Sequence, residues 1–333
     1  MQPEQTSTTT TASDGRRQTA HARRLASMTH ALGAEITEAL RDPDVTDIHL
    51  NADGVLRSVG HGAGCKILGQ LSSERAESVI RLLASHMGAE VTPECPTVSG
   101  VLPGTIARFQ GVVPPVSERP IFAIRKHAQV IYTLDDLVRD GVLSNVGASA
   151  IRSAVVQREN LLIVGGTGSG KTTVANSILA EPAFCQDRVV LIEDTRELQC
   201  AAADCVELVA APTLETVTMD ELVRTTLRLF PGRIVIGEVR GPEALSMIKA
   251  WGTGHPGGLC TLHANGPRDA LYRLEDLIGE VAVSIPRRTI ANAVGLIVFI
   301  ERGQFNAAGR RVTGMTRPSL DEEGNYDFED IDL

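Results

Sequence analysis

Gly165-Gly166-Thr167-Gly168-Ser169-Gly170-Lys171-Thr172 follows directly on the apolar run Leu161–Val164. Its fixed positions satisfy G-x-x-x-x-G-K-[ST], a phosphate-loop pattern. Glycines let the backbone curl and turn successive N–H groups inward, making a concave seat for phosphate oxygens. Lys171 then brings a positive charge to the β- and γ-phosphates, and the Thr172 hydroxyl becomes a ligand for Mg²⁺. A helix expected from Lys171 to about Leu179 adds its positive N-terminal end. Gly165, Gly166, Thr167, Gly168, Ser169, Gly170, Lys171, Thr172 and Thr173 are therefore the candidate phosphate-binding residues. The strand, loop and helix order implies a bound nucleoside triphosphate.

Hydrolysis of a γ-phosphate needs Mg²⁺, a positioned water, and charge or donors around the transferring group. Carboxylates are thus expected at the ends of strands beside the phosphate-loop strand. Val189–Ile192 runs into Glu193-Asp194, with Glu197 just beyond, and Ile234–Gly237 runs into Glu238, followed by Val239-Arg240. A single acidic residue at a strand end is often only a solvated terminus, whereas two beside a phosphate loop favour chemistry. Glu238 is the preferred water-orienting residue or general base. Glu193 and Asp194 are candidates to assist the base or hold the metal's water shell, Asp194 being the metal candidate. His263 stands at the end of another apolar strand, Leu259–Leu262, within the polar cluster of His255–Gly258 and Thr261–Asn265, where it could sense the γ-phosphate. Two basic, turn-rich segments near the N-terminus carry Arg108 and Arg125, whose fixed guanidinium forks suit phosphate oxygens.

These residues need a scaffold. Apolar runs at Leu161–Val164, Val189–Ile192, Ile234–Ile236, Leu259–Leu262 and Val294–Ile300 alternate with helical stretches. That alternation predicts a mostly parallel, doubly wound sheet with its ligand at the carboxyl ends of the strands. Ahead of it, Leu25, Met28, Leu32, Ile36 and Leu40 fall on one helical face and stop at Asp42-Pro43. Val45–Leu50 and Val55–Val59 flank the turn Asn51–Gly54 as a hairpin, and Ser72 or Ser73 caps a second helix that Gly88 closes. Short strands at Gly104–Val113 and Ile121–Arg125 complete a small α/β domain. The expected segments are a disordered extension at 1–23, an N-terminal α/β domain at 24–126, a linker at 127–144 holding a short capped helix at Thr133–Arg139, a nucleotide-binding domain at 145–310, and a solvated acidic tail at 311–333.

Composition sets the bounds. A chain of 333 residues is long enough for two cores, and with 3% aromatics these must be built from Leu, Ile, Val and Ala. A net charge of −9 argues against a broad nucleic-acid-binding surface, so no sequence-specific nucleic-acid binding is expected. Apolar stretches such as Leu296–Ile300 are too short to span a bilayer, and no apolar core follows the basic pairs Arg16-Arg17 and Arg23-Arg24 as an export signal requires. Six cysteines without paired C-x-x-C spacing point to incidental thiols rather than zinc or a disulfide framework. A soluble, cytoplasmic protein is expected.

Together these elements resemble the type II and type IV secretion (traffic) ATPases, in particular the conjugal-transfer ATPases of type IV secretion. The likeness spans about Leu32 to Arg302 and rests on Gly165–Thr172 (Walker A), Leu191–Leu198 as LIEDTREL (Asp box), Gly237–Gly241 as GEVRG (Walker B) and Gly254–Asn265 as GHPGGLCTLHAN (His box). The segments at 43–48 and 114–128, PDVTDI and PPVSERPIFAIRKHA, add to it. The resemblance implies an α/β fold with a RecA-like P-loop C-terminal domain and a smaller N-terminal domain, ATP with Mg²⁺, and a homohexameric ring. It also implies type IV secretion partners at the inner membrane, with any membrane association through them. Carried over, Lys171 and Thr172 bind phosphate and Mg²⁺, Glu238 is the catalytic carboxylate, His263 contacts the nucleotide, and Arg108 and Arg125 reach the phosphates. Gly232 departs from the pattern, since many relatives carry Asp there, and the Walker B segment lacks its usual Asp, leaving Glu238 to serve. A type II secretion or pilus-assembly ATPase, and a nucleotide-gated assembly scaffold with incidental turnover, are the alternative readings. The chain has neither N-K-x-D nor L-S-G-G-Q, which disfavours GTPases and transporter ATPases.

Overall fold

The computed structural model describes residues 27–60, 64–102, 105, 107–126, 131–210 and 217–333. The expected extension at 1–23 lies outside them. The chain divides into two compact units, Met1–Gln129 and Val130–Leu333.

In the first unit, strands β1 (Val45–Leu50), β2 (Val55–Gly60), β3 (Lys66–Gln70), β4 (Thr97–Val101), β5 (Arg108–Val112) and β6 (Ile121–Arg125) form one sheet in the order β3-β2-β1-β6-β5-β4. Every pairing in it is antiparallel. The β1–β2 turn closes where Asp53 accepts the Val55 N–H at 2.9 Å and Gly54 takes φ 74. A sheet of this kind has an apolar face to cover. Helix α1 (27–41) and helix α2 (Ser73–His86) supply the cover: Met28, Leu32, Ile36, Val79, Ile80 and Leu83 share a buried cluster with Ile48, Leu50, Phe109, Phe122 and Ile124. Strands β3 and β4 escape the sequence analysis, because Lys66–Gln70 is mostly exposed and Thr97–Val101 is interrupted by Gly100.

The second unit begins with α3 (Leu134–Arg139) and α4 (Asn145–Val156), then β7 (Leu161–Val164), α5 (Lys171–Leu179), α6 (Pro182–Cys185), β8 (Val189–Glu193) and β9 (Cys205–Val209). It continues through α7 (Met219–Thr226), β10 (Arg233–Val239), α8 (Glu243–Gly252), β11 (Leu259–Leu262), α9 (Asp269–Gly279), α10 (Arg287–Ala293), β12 (Leu296–Arg302), β13 (Arg310–Leu320) and β14 (Tyr326–Asp330). The sheet order is β14-β13-β12-β7-β11-β10-β8-β9. From β12 to β9 every pairing is parallel. Alternate residues of a strand face opposite sides, so Leu161 and Ile163 join one core and Leu162 and Val164 the other. Helices α4 and α5 close the first face through Ile151 and Val174, and α8 and α9 close the second through Met247 and Leu274.

Two segment expectations change. Residues 311–333 are not a solvated tail: β13 and β14 extend the sheet as an antiparallel hairpin, turned at Gly324, whose φ is 83. Val312 and Met315 sit in the core while the acidic residues gather at the turn and on the exposed face, which is what disguised the strand period. Of the expected linker, 131–144 is part of the second unit. Leu134, Leu137, Val142 and Leu143 are buried in its core, and Thr133 and Asp136 cap α3 reciprocally.

Arg233, at the start of β10, is almost wholly buried. Its Nε donates to Asp187 at 2.7 Å, Nη2 to the Val155 carbonyl at 3.0 Å and Nη1 to Gly257 at 3.2 Å, with the guanidinium stacked 4.5 Å from the Phe184 ring centroid. Beside it, a Cβ at Gly232 would lie 2.8 Å from the Arg188 carbonyl oxygen, which accounts for the glycine at that position. Removing the carboxylate would leave a buried cation without its counter-charge. Asp187→Ala is therefore expected to cost about 3 kcal/mol or more in urea denaturation; a loss under about 1 kcal/mol would mean the carbonyls alone satisfy Arg233.

Candidate functional site

Strand β7 delivers the phosphate loop to the carboxyl edge of the sheet. The Gly165 N–H donates to the Leu262 carbonyl at 3.3 Å, and a Cβ at Gly165 would lie 2.2 Å from the Ile300 carbonyl oxygen, so only glycine fits this close approach. Gly170, at φ 108, turns the chain into α5 without a side-chain cap, which leaves the first N–H groups of the helix directed into the loop. Ser169 is buried with its Oγ unpartnered among the described residues. Lys171 is 7% exposed, and its Nζ donates to the carbonyls of Gly165 at 3.1 Å and Gly166 at 3.2 Å. Burial pulls its proton affinity below the ordinary lysine value, against the opposing pull of Glu238.

Glu238 reaches this lysine through a bulge. The β10–β11 register shifts between Ile236 and Val239, and the freed Gly237 carbonyl accepts from Thr261 Oγ1 at 2.7 Å. An inserted residue re-aims its neighbour's side chain. Glu238 Oε1 lies 3.9 Å from Lys171 Nζ and 2.8 Å from His263 Nε2. Lys171 Nζ is 3.2 Å from His263 Nδ1. Burial and the Lys171 charge depress the His263 pKa, so the imidazole is neutral near pH 7. The network assigns its tautomer: Nε2–H donates to Glu238, and Nδ1 accepts from Lys171. Arg240 donates from Nε to Glu238 at 2.7 Å and from Nη1 to Asp194 at 2.9 Å, tying the β10 and β8 carboxylates together.

Glu193 does not line this cluster. It is 3% exposed, and its Oε1 accepts the N–H groups of Glu197 and Leu198, both at 2.8 Å. A Cβ at Gly237 would come within 2.8 Å of Glu193 Cγ, so that glycine makes room for it. Glu193 thus shapes the loop that presents Glu197, whose Oε2 accepts from Thr172 Oγ1 at 3.3 Å. Glu197 and Arg240 were missed as site residues. The first lay inside LIEDTREL and the second directly after Glu238's strand, yet only the turn geometry distinguishes a partner from a neighbour. Thr173 follows in the first turn of α5, half-buried. Arg108 and Arg125 belong to the first unit, where they oppose each other across β5 and β6, and Arg125 Nε donates to Asp47 at 2.9 Å.

The donors suit a magnesium nucleotide. A glycine cradle, an orphaned buried hydroxyl, an uncapped helix and a buried lysine make a polyphosphate seat. Among the described residues no group of three His, Cys, Asp or Glu side chains could hold a metal by itself.

Residues 31–303 match the family described as Type II/IV secretion system protein, and the chain belongs to that family. Within it, the chain is 43% identical over 315 residues to a Sinorhizobium fredii protein named "Probable conjugal transfer protein TrbB", covering 94% of this chain and 95% of that one. It is 45% identical over 294 residues to the conjugal transfer protein TrbB of Rhizobium radiobacter, covering 88% and 89%. The crystal structure of the pilus retraction motor PilT with bound ADP aligns at TM-score 0.59 and 18% identity over 90% of this chain and 82% of that one, a likeness of fold. The chain is thus a member of the type II/IV secretion family to which these conjugal transfer proteins belong, with the expected α/β architecture.

Burial holds the Glu193 pKa at about 7, above the ordinary 4.5. Between those values the folded chain binds more protons than the unfolded one, so this group's contribution to stability falls as pH rises through the window. Thermal midpoints measured from about pH 5 to about pH 8 should show that decline in wild type and a flatter profile in Glu193→Gln. Equal slopes would mean Glu193 titrates as an ordinary carboxylate.

Proposed function

We propose that this chain hydrolyses ATP with Mg²⁺ and works as a homohexameric motor of a conjugative type IV secretion system, driving pilus biogenesis or substrate transfer. The observation that carries the reading is the convergence of Lys171, Glu238 and His263 at one sheet edge beside the glycine loop. The identity to the TrbB proteins over most of the chain supports the conjugative setting. No helix among the described residues is long and apolar enough to cross a membrane, and we place the protein in the cytoplasm, peripheral to the inner membrane through secretion partners.

In this mechanism the loop amides and Lys171 bind the β- and γ-phosphates. Thr172, with Asp194 or Glu197, would hold Mg²⁺, which would supply charge neutralisation for the phosphate chain. Glu238 orients the attacking water and takes its proton as the bond from γ-phosphorus to the bridging oxygen breaks. His263 holds that carboxylate by its Nε2–H and, beside Lys171, stands where it can register the γ-phosphate.

Steady-state phosphate release, measured per subunit against protein concentration, tests this. A specific rate that climbs with concentration and falls at least about 100-fold in Lys171→Ala is the expected result. ATP binding without Lys171-dependent turnover at any concentration would replace the motor with a nucleotide-gated scaffold.

A further inference from the structure

On the β12–β13 side of the phosphate loop, away from Glu238, two arginines face the same glycines. Arg302 ends β12, Arg310 opens β13, and the two are direct cross-strand partners. Like charges placed directly opposite are destabilising. Among the described residues neither guanidinium lies within ion-pair distance of a carboxylate; Arg310 Nε donates to the Ala308 carbonyl at 3.2 Å. Burial and the neighbouring Arg302 charge both weigh against the protonated form of Arg310.

Both guanidinium groups lie against the phosphate loop. A Cβ built on Gly168 would be 3.6 Å from Arg302 Nη1, and one on Gly170 would be 3.1 Å from Arg310 Nη1. The same stretch holds the uncapped start of α5 and the buried, unpartnered Ser169 Oγ. The hairpin is braced as well: Asn306 Nδ2 donates to Gly141 O and to Arg310 O, both at 2.8 Å, and the Gly303 N–H donates to Gly309 O at 3.1 Å. A fixed pair of cations beside a positive helix end is a costly arrangement unless a polyanion sits among them.

We infer that Arg302 and Arg310 form a second cationic arm of the site, gripping the polyphosphate of the bound nucleotide from the β12–β13 side. The inference rests on the nucleotide reading above and adds to it a phosphate subsite outside the four sequence motifs. Guanidinium forks match phosphate oxygens in pairs, which a plain cover for the glycine loop has no need of.

The test is calorimetric titration of the full chain with ADP and Mg²⁺, at low and moderate salt, in wild type, Arg302→Gln, Arg310→Met and Arg310→Lys. Arg302 is exposed, so its variant keeps the fold, and Met at 310 keeps the bulk over Gly170 while removing the charge. Each charge-removing variant should bind ADP about 10- to 100-fold more weakly, with a shallower salt dependence and a thermal midpoint without nucleotide no lower than wild type. Arg310→Lys should recover part of the loss. Wild-type binding that Arg302→Gln and Arg310→Met leave within about twofold would overturn the arm and leave the nucleotide site standing. A wild-type chain that binds neither ADP nor ATP would overturn both.

Discussion

Parallel pairing of β7 with β11, and of β11 with β10, is the constraint on which the site depends. In that register Val164 is the partner of Leu262, and Leu262 is the partner of Val239. Gly165, His263 and Glu238 consequently leave the sheet at one edge, although long stretches of chain separate them. Parallel strands need crossover connections, and these deliver the helices whose apolar faces bury both sides of the sheet. The packing that makes β7, β8 and β11 fully buried is the same packing that fixes where their polar ends emerge.

Charge then sorts the residues at that edge. Burial disfavours the charged forms of Lys171 and His263, and the Glu238 carboxylate opposes it at both. A neutral imidazole between the two allows Glu238 one donor from His263 while Lys171 remains near the loop carbonyls. Arg240 joins Glu238 to Asp194, so movement of one carboxylate is felt at the other. On the opposite flank the β12–β13 arginines raise the positive potential further. A site so biased favours a ligand of several negative charges over a neutral one.

The sequence carried most of the sheet and the heart of the site. Buried parallel strands are short, apolar and bounded by breaks, so Leu161–Val164 and Leu259–Leu262 declare themselves, and the phosphate loop needs a spelling few other turns require. Glu193 shows what local pattern leaves out. An acid at a strand end looks the same whether it faces solvent, metal or its own loop, and only the Glu197 and Leu198 N–H groups show that it turns inward. Strands β13 and β14 were hidden by their charges, and the β12–β13 arginines by a loop too irregular to place from periodicity. The cross-strand meeting of Arg302 with Arg310 is a fact of register, which no single strand states.

We propose Glu238 as the carboxylate that activates water, and Glu238→Gln separates binding from chemistry because the amide keeps the size of the side chain. Parallel measurement of ATP affinity and single-turnover phosphate release in that variant is the most direct test. Affinity within about threefold of wild type, with release slowed at least about 100-fold, is the expected result. Release at the wild-type rate would contradict it and move the base to another group.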